Sequence, residues 1–254
     1  MSNHLILTNS LETGITLLTI NRPEVHNSFS RELLNEFQLV LKQLSTDSNT
    51  RVLIITGAGE KSFSSGVDLK VLQSFKSIEE ARDYALLLEG TSEHLFNFPK
   101  PIISAINGYA LGGGLGYAAS TDYRIAVEHS KMGFPAVKLG AILPVTCTLY
   151  LSHLIGINHT RDILLTGRML SASDALRMGL VNQVVTPNSL MDTALQVARQ
   201  MLEGTDTALS YTKRTINNLL SQNIESQKLY AADNFAYLSQ TSEWKERIMN
   251  FGKK

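Results

Sequence analysis

The sequence predicts an α/β core over residues 1–195 and a helical region over 196–254. Three observations carry this division. RVLIITG (51–57) and PIISAIN (101–107) are strongly β-type runs. Each is followed by a glycine-centred turn, SFSSGVDL (62–69) and NGYALGGGLG (107–116), that leads into a helix start. After Pro187 the strand signal stops, and only helical spacing of Leu, Met, Ile and aromatic residues follows.

The elements follow in order. HLILTN and ITLLTINR flank SLETG and read as a hairpin. Leu33, Leu34, Phe37, Val40, Leu41 and Leu44 share one face at helical spacing. RVLIIT is a short buried strand, and IEEARDYALLLEGTSEHLF is mostly helix. PIISAI is a strand that the second glycine turn ends, and DYRIAV is a further strand. Cys147 to Leu170 is helical again. In SASDALRMG, Ser171 and Asp174 fit a capping box and Gly179 a C-terminal stop. VNQVV is the last strand, and residues 189–203, 206–221 and 223–250 are helices.

Composition narrows the function classes. The 254 residues are 43% apolar, enough for a sizeable core. Formal net charge is zero, with no acidic or basic block, which argues against a nucleic-acid or membrane-surface partner. No apolar run has the length of a membrane span. The start, MSNHLILTNS, lacks signal-peptide features, and a cytoplasmic location is the expectation. The single cysteine, Cys147, excludes an internal disulfide and leaves no basis for a Cys-rich metal site.

The glycine turns carry the chemistry. Backbone N–H groups at a strand-to-helix turn lack partners and point outward. Two such turns brought together aim two donors at one oxygen, which stabilises charge developing on a carbonyl. One glycine turn alone solves only a backbone problem. A phosphate loop fits poorly, because no Lys-Ser or Lys-Thr follows Gly112–Gly116. A dinucleotide fingerprint fails at Tyr117, where its third glycine is needed. Ser64 and Ser65 are not framed as a nucleophile elbow.

Five segments are together more specific. NRPEVHNSFS, SFSSGVDL, FPKPIISAINGYALGGGLG, MGFPAVKLG and LLTGRMLSASDALRMGLVNQVV run in register from Asn21 to Val185. In that order they resemble the enoyl-CoA hydratase/isomerase, or crotonase, family. The ending SEWKERIMNFGKK is similar to the family's C-terminal segment. The resemblance implies a crotonase-like ββα spiral core with a helical C-terminal region used in trimer contacts, hence a homotrimer or a dimer of trimers. It implies an acyl-CoA thioester as substrate and no bound cofactor, since CoA is part of the substrate.

It also implies a site. The two oxyanion donors would be the N–H groups of Val67 and Gly113. Val25 and His26 would lie along the adenine and pantetheine path. Ser64, Gly66, Asp68, Leu69 and Lys70 would flank the thioester end, and Phe251 and Lys253 would approach CoA from the chain end. Two alternatives stay open: His26 as an exposed loop histidine, and Asp68 as a helix N-cap.

The family's two proton-moving glutamates fall at Gly116 and Ala136, neither of which can titrate. Standard hydration is therefore doubtful, and glutamate-dependent isomerisation is weakened. Dehalogenation would need a carboxylate near residue 144, where Pro144 stands. Asp83, Glu89 and Glu93 read as solvated helix charges, and His94 as a packed histidine. Tyr230 and Tyr237 read as core or interface aromatics, and Asp122 as structural. None is identified as a base. Two functions remain: enolate chemistry by an acyl-CoA enzyme, or an acyl-CoA-binding protein of the same fold without turnover.

Overall fold

The computed structural model describes residues 4–220 and 224–250, the side chains of residues 224–227 excepted. The chain opens with a hairpin, β1 (Ile6–Glu12) and β2 (Gly14–Ile20), in which Ile6 faces Ile20. Helix α1 (Arg31–Thr46) starts where Ser30 accepts the Leu33 N–H, and it buries Leu33, Leu34, Phe37 and Leu41.

A repeated pattern then sets in. A long strand joins a large sheet, a three-residue strand joins a small sheet, and helix follows. The first repeat is β3 (Thr50–Gly57), β4 (Ser62–Ser64), α2 (Leu69–Ser74) and α3 (Ile78–Phe96). The second is β5 (Ile102–Ile106), β6 (Tyr109–Leu111) and α4 (Gly113–Ala119). The third is β7 (Tyr123–Val127), β8 (Lys131–Gly133), a 3-10 turn (Pro135–Leu139) and α5 (Val145–Thr166). β9 (Met169–Ser171), α6 (Ala172–Arg177) and β10 (Gln183–Val185) complete the sheets. The large sheet has the order β1-β2-β3-β5-β7-β10, parallel after the hairpin, and the small one β4-β6-β8-β9.

The parallel strands are buried on both faces, which is why they read as unbroken apolar runs. On one face Ile15, Val52, Ile54, Ile103 and Ile125 pack against α7 (Leu190–Leu202). On the other, Leu53, Ile55 and Ile102 join the main core with α1, α3 and α5. Three helices follow: α8 (Asp206–Leu220), α9 (Ile224–Gln240), packed along α3, and α10 (Ser242–Asn250). Among the described residues no helix is long and apolar enough to cross a membrane.

The mixed α/β architecture and helical C-terminal region match the sequence reading; three details differ. Residue 195, where the sequence pattern divides the chain, falls inside α7, which packs on the sheet along its length through Leu190, Ala194, Val197 and Ala198. The helix expected from Cys147 to Leu170 ends at Thr166, because Gly167 turns left-handed and Met169–Ser171 pair with β8. It is also kinked at Gly156, whose φ is +74°. The four strands of the small sheet, three residues each, are too short for an alternation pattern.

Candidate active site

The site is built where the two glycine turns meet. At the first, Phe29 and Val67 form an isolated parallel bridge: Phe29 N–H donates to Gly66 O at 2.7 Å, and Asp68 N–H to Phe29 O at 3.1 Å. Those bonds use the peptide groups on either side of Val67. The Val67 N–H faces the other way and has no acceptor among the described residues. At the second turn, Gly112 N–H donates to Gly133 O at 3.0 Å. Gly113 is the first residue of α4, so its N–H has no acceptor inside the helix.

Glycine is required for the two turns to touch. Gly66 has φ +87°, and a Cβ there would lie 2.6 Å from Leu111 O and 2.8 Å from Gly113 N. Gly112 has φ +55° and ψ −123°, a conformation closed to residues with a side chain. Val67 and Gly113 thus stand side by side on the wall of a cavity of about 570 Å³.

The cavity is mostly apolar. Leu72, Leu88, Leu139, Ile142 and Phe235 contribute to its wall, and its polar lining includes His26, Asp68, Lys70 and Lys138. Val25 and Leu69 also line it. His26 is exposed at φ +55°, and its Nδ1 lies 3.1 Å from Ser62 Oγ.

Three other site residues inferred from sequence stand differently, and two cannot be placed. Ser64 does not reach the cavity; its buried hydroxyl donates to Asn27 O at 2.8 Å and accepts the Gly66 N–H at 3.1 Å. It braces the turn instead of touching a ligand. Gly66 shapes the turn from behind the wall. Asp68 lines the cavity, but its carboxylate is committed: it caps α2 by accepting the Lys70 N–H at 3.0 Å and pairs with Arg22 at 3.0 Å. Phe251 and Lys253 lie outside the described residues.

At the two positions without titratable side chains, the structure differs from place to place. Ala136 lines the cavity. Gly116 is shut off from it. A Cβ at Gly116 would lie 2.5 Å from Cys147 Sγ and 2.7 Å from Cys147 Cβ, with Leu143 at 3.4 Å. Cys147 is fully buried against Ser92 Oγ at 3.0 Å, and burial pushes its thiol up to about 12. It is a packing residue and no nucleophile.

The other titratable candidates divide sharply. Asp83 and His94 are exposed; His94 is not packed, and its Nδ1 contacts Gly90 O at 2.6 Å. Tyr230 and Tyr237 are 65% and 69% exposed, so neither is a core residue of this chain. Glu93 pairs with Lys228 at 2.6 Å. Asp122 accepts the Ile102 N–H and the Lys213 ammonium, each at 2.7 Å, tying α8 to the sheet.

Glu89 overturns its sequence reading. It is only 2% exposed, and its carboxylate sits at the start of α5, accepting Val145 N–H at 2.5 Å and Thr146 N–H at 3.2 Å. Burial raises its pKa above the usual glutamate range, against the opposing pull of those donors. The signal was present in sequence: position 89 lies on the face of Ala81, Ala85, Leu88, Ser92 and Phe96, all buried.

A group whose pKa is raised on folding favours the fold most when protonated. Its contribution is therefore present below the ordinary glutamate range and is lost as pH rises through the raised value. Denaturant unfolding across pH is expected to show this loss in the wild type and not in Glu89→Gln. Parallel pH profiles for both proteins would refute the assignment.

The fold and the facing turns define a class that comparison makes definite. The enoyl-CoA hydratase/isomerase family pattern matches residues 10–254. A short-chain-enoyl-CoA hydratase of Clostridium acetobutylicum is 34% identical over 243 residues, covering 96% of this chain and 93% of that protein. An (E)-benzylidenesuccinyl-CoA hydratase of Thauera aromatica is 34% identical over 250 residues, covering 98% and 96%. The crystal structure of an enoyl-CoA hydratase from Bacillus anthracis superposes with a TM-score of 0.83 at 32% identity, over 98% of this chain and 96% of that one. The chain belongs to the enoyl-CoA hydratase/isomerase family.

Proposed function

We propose that this protein is an acyl-CoA thioester-processing enzyme that stabilises a thioester enolate between the N–H groups of Val67 and Gly113. The observation that carries the reading is the meeting of two uncommitted backbone donors on the wall of an apolar cavity. A thioester enolate puts its charge on the carbonyl oxygen, and each such donor is worth about 3 kcal/mol in the transition state. The names of the family's relatives, enoyl-CoA hydratases among them, support the substrate class.

The reaction is other than water addition driven by paired glutamates. Ala136 offers only a methyl group, and the space beside Gly116 is occupied by Cys147. Each positioned acid–base group typically contributes about 10²–10⁴-fold, so hydration without either would be slow. No cofactor beyond the CoA of the substrate is needed for enolate chemistry. The sealed Gly116 also favours a second reading, an acyl-CoA-binding protein that holds the thioester without turning it over.

Mass spectrometry in D₂O separates the two. Saturated, 2-enoyl, 3-enoyl and malonyl-type CoA esters are incubated with the protein. Deuterium beside the carbonyl, loss of CO₂, release of CoA or gain of water would each name a reaction. The expected result is deuterium incorporation well above a protein-free control. Binding of every ester with no mass change would transfer the conclusion to the binding reading.

A further inference from the structure

Gly116 and Ala136 cannot move a proton, yet one carboxyl reaches the same region from another helix. Glu89 of α3 lines a small void of about 10 Å³, together with Leu88, Ile142, Pro144 and Phe235. Those four residues also line the main cavity. The void adjoins that cavity across those four shared residues, is about the size of one water molecule, and has Glu89 in its lining. Ala231 and Ala232 of α9 back it with small side chains. The same carboxyl borders the volume that is closed at Gly116: Glu89 accepts the Thr146 N–H, and the next residue, Cys147, is the one packed on Gly116.

We propose that Glu89 is the acid–base residue of this site, serving from α3 the carbon next to the thioester carbonyl. The proposal rests on the oxyanion reading above. In the step, a Glu89 oxygen takes a proton from that carbon. The C–H electron pair moves into the enolate, and the charge reaches the carbonyl oxygen held by Val67 and Gly113. Returning the proton to the same carbon exchanges it. Returning it two carbons further along an unsaturated chain shifts the double bond. Nothing else is consumed. Each Glu89 oxygen accepts one backbone N–H and keeps a second lone-pair direction for the proton.

The groups packed around Glu89 are either ion-paired or buried. On its own helix, Glu93 is paired with Lys228 of α9, and Arg82 with Asp233 of α9. Tyr117 of α4 and Cys147 and Tyr150 of α5 are all pushed upward by burial and stay neutral. A base must be ionised to act, so turnover is lost as pH falls through the raised pKa of Glu89.

The test is deuterium exchange into a saturated CoA ester in D₂O from about pH 5 to about pH 9, for wild type, Glu89→Gln and Glu89→Asp. Exchange by the wild type is expected to fall with pH through a value above the ordinary glutamate range. Glu89→Gln is expected to lose about 10²-fold or more and to lose that limb, while binding the ester within a few-fold of wild type. Glu89→Asp is expected to keep the limb at a reduced rate. Exchange at the wild-type rate and with the same limb in Glu89→Gln, even with a lowered Tm, would reduce Glu89 to an anchor of α5. If Glu89→Gln does not fold, an unchanged rate in Glu89→Asp overturns the proposal instead. Loss of exchange in Gly113→Pro together with full exchange in Glu89→Gln overturns this proposal alone. A wild type that neither exchanges nor transforms any ester overturns the oxyanion reading as well.

Discussion

Gly113→Pro is expected to lower turnover of an acyl-CoA thioester by about 10²–10³-fold relative to Gly113→Ala. Both variants introduce a Cβ, which would meet the Phe29 ring at 3.2 Å, so the ring must give by a few tenths of an ångström in either. Only proline removes the N–H. Gly113 is the first residue of α4, where proline is well tolerated, so the helix start survives the change. The alanine variant therefore absorbs the steric effect, and the difference between the two isolates the donor. Steady-state kinetics with matched circular dichroism would measure it. Equal turnover in the two folded variants would remove Gly113 from the oxyanion assignment.

Gly116→Glu, which fills the position where the sequence resemblance puts one of the family's glutamates, is expected to destabilise the protein and to give no gain in hydration. The new Cβ would lie 2.5 Å from Cys147 Sγ, a distance that forces movement in a packed core. Overpacking of this kind costs about 1–3 kcal/mol, and an unpaired buried carboxylate adds to it. In a domain of this size each 1 kcal/mol lowers Tm by about 2–4 °C. Pairing the change with Cys147→Gly is expected to recover much of the loss, because the two residues compete for one volume. Thermal unfolding of the two single variants and the double variant completes the cycle. Additive Tm shifts would mean that Cys147 does not occupy that space.

How much of this was legible in sequence depends on the kind of signal. Long buried strands such as RVLIIT and PIISAI announce themselves by composition, and the cap at Ser171 by spacing. The glycines at 66 and 112 mark their turns, since their backbone angles exclude other residues. The small sheet left no trace, because three residues cannot show a period. Glu89 was hidden by its charge: glutamates on helices are mostly solvated, and only its place in an apolar stripe argued otherwise. The Cys147–Gly116 contact joins residues 31 apart in sequence through two helices, and no local pattern encodes it.

Phe235 gives the cavity a history in time. The two donor turns need the chain only as far as Gly133, whose carbonyl holds the Gly112 N–H, yet Phe235, part of the cavity wall, belongs to α9. During synthesis at about 5–20 residues per second, the chain spends several seconds with both turns present and that wall missing. Over that interval Leu72, Leu88 and their apolar neighbours form an open groove in place of a closed one. A nascent chain of this protein thus displays a sticky half-site before it owns a finished one, and the moment of greatest need for a chaperone falls just before α9 docks on α3.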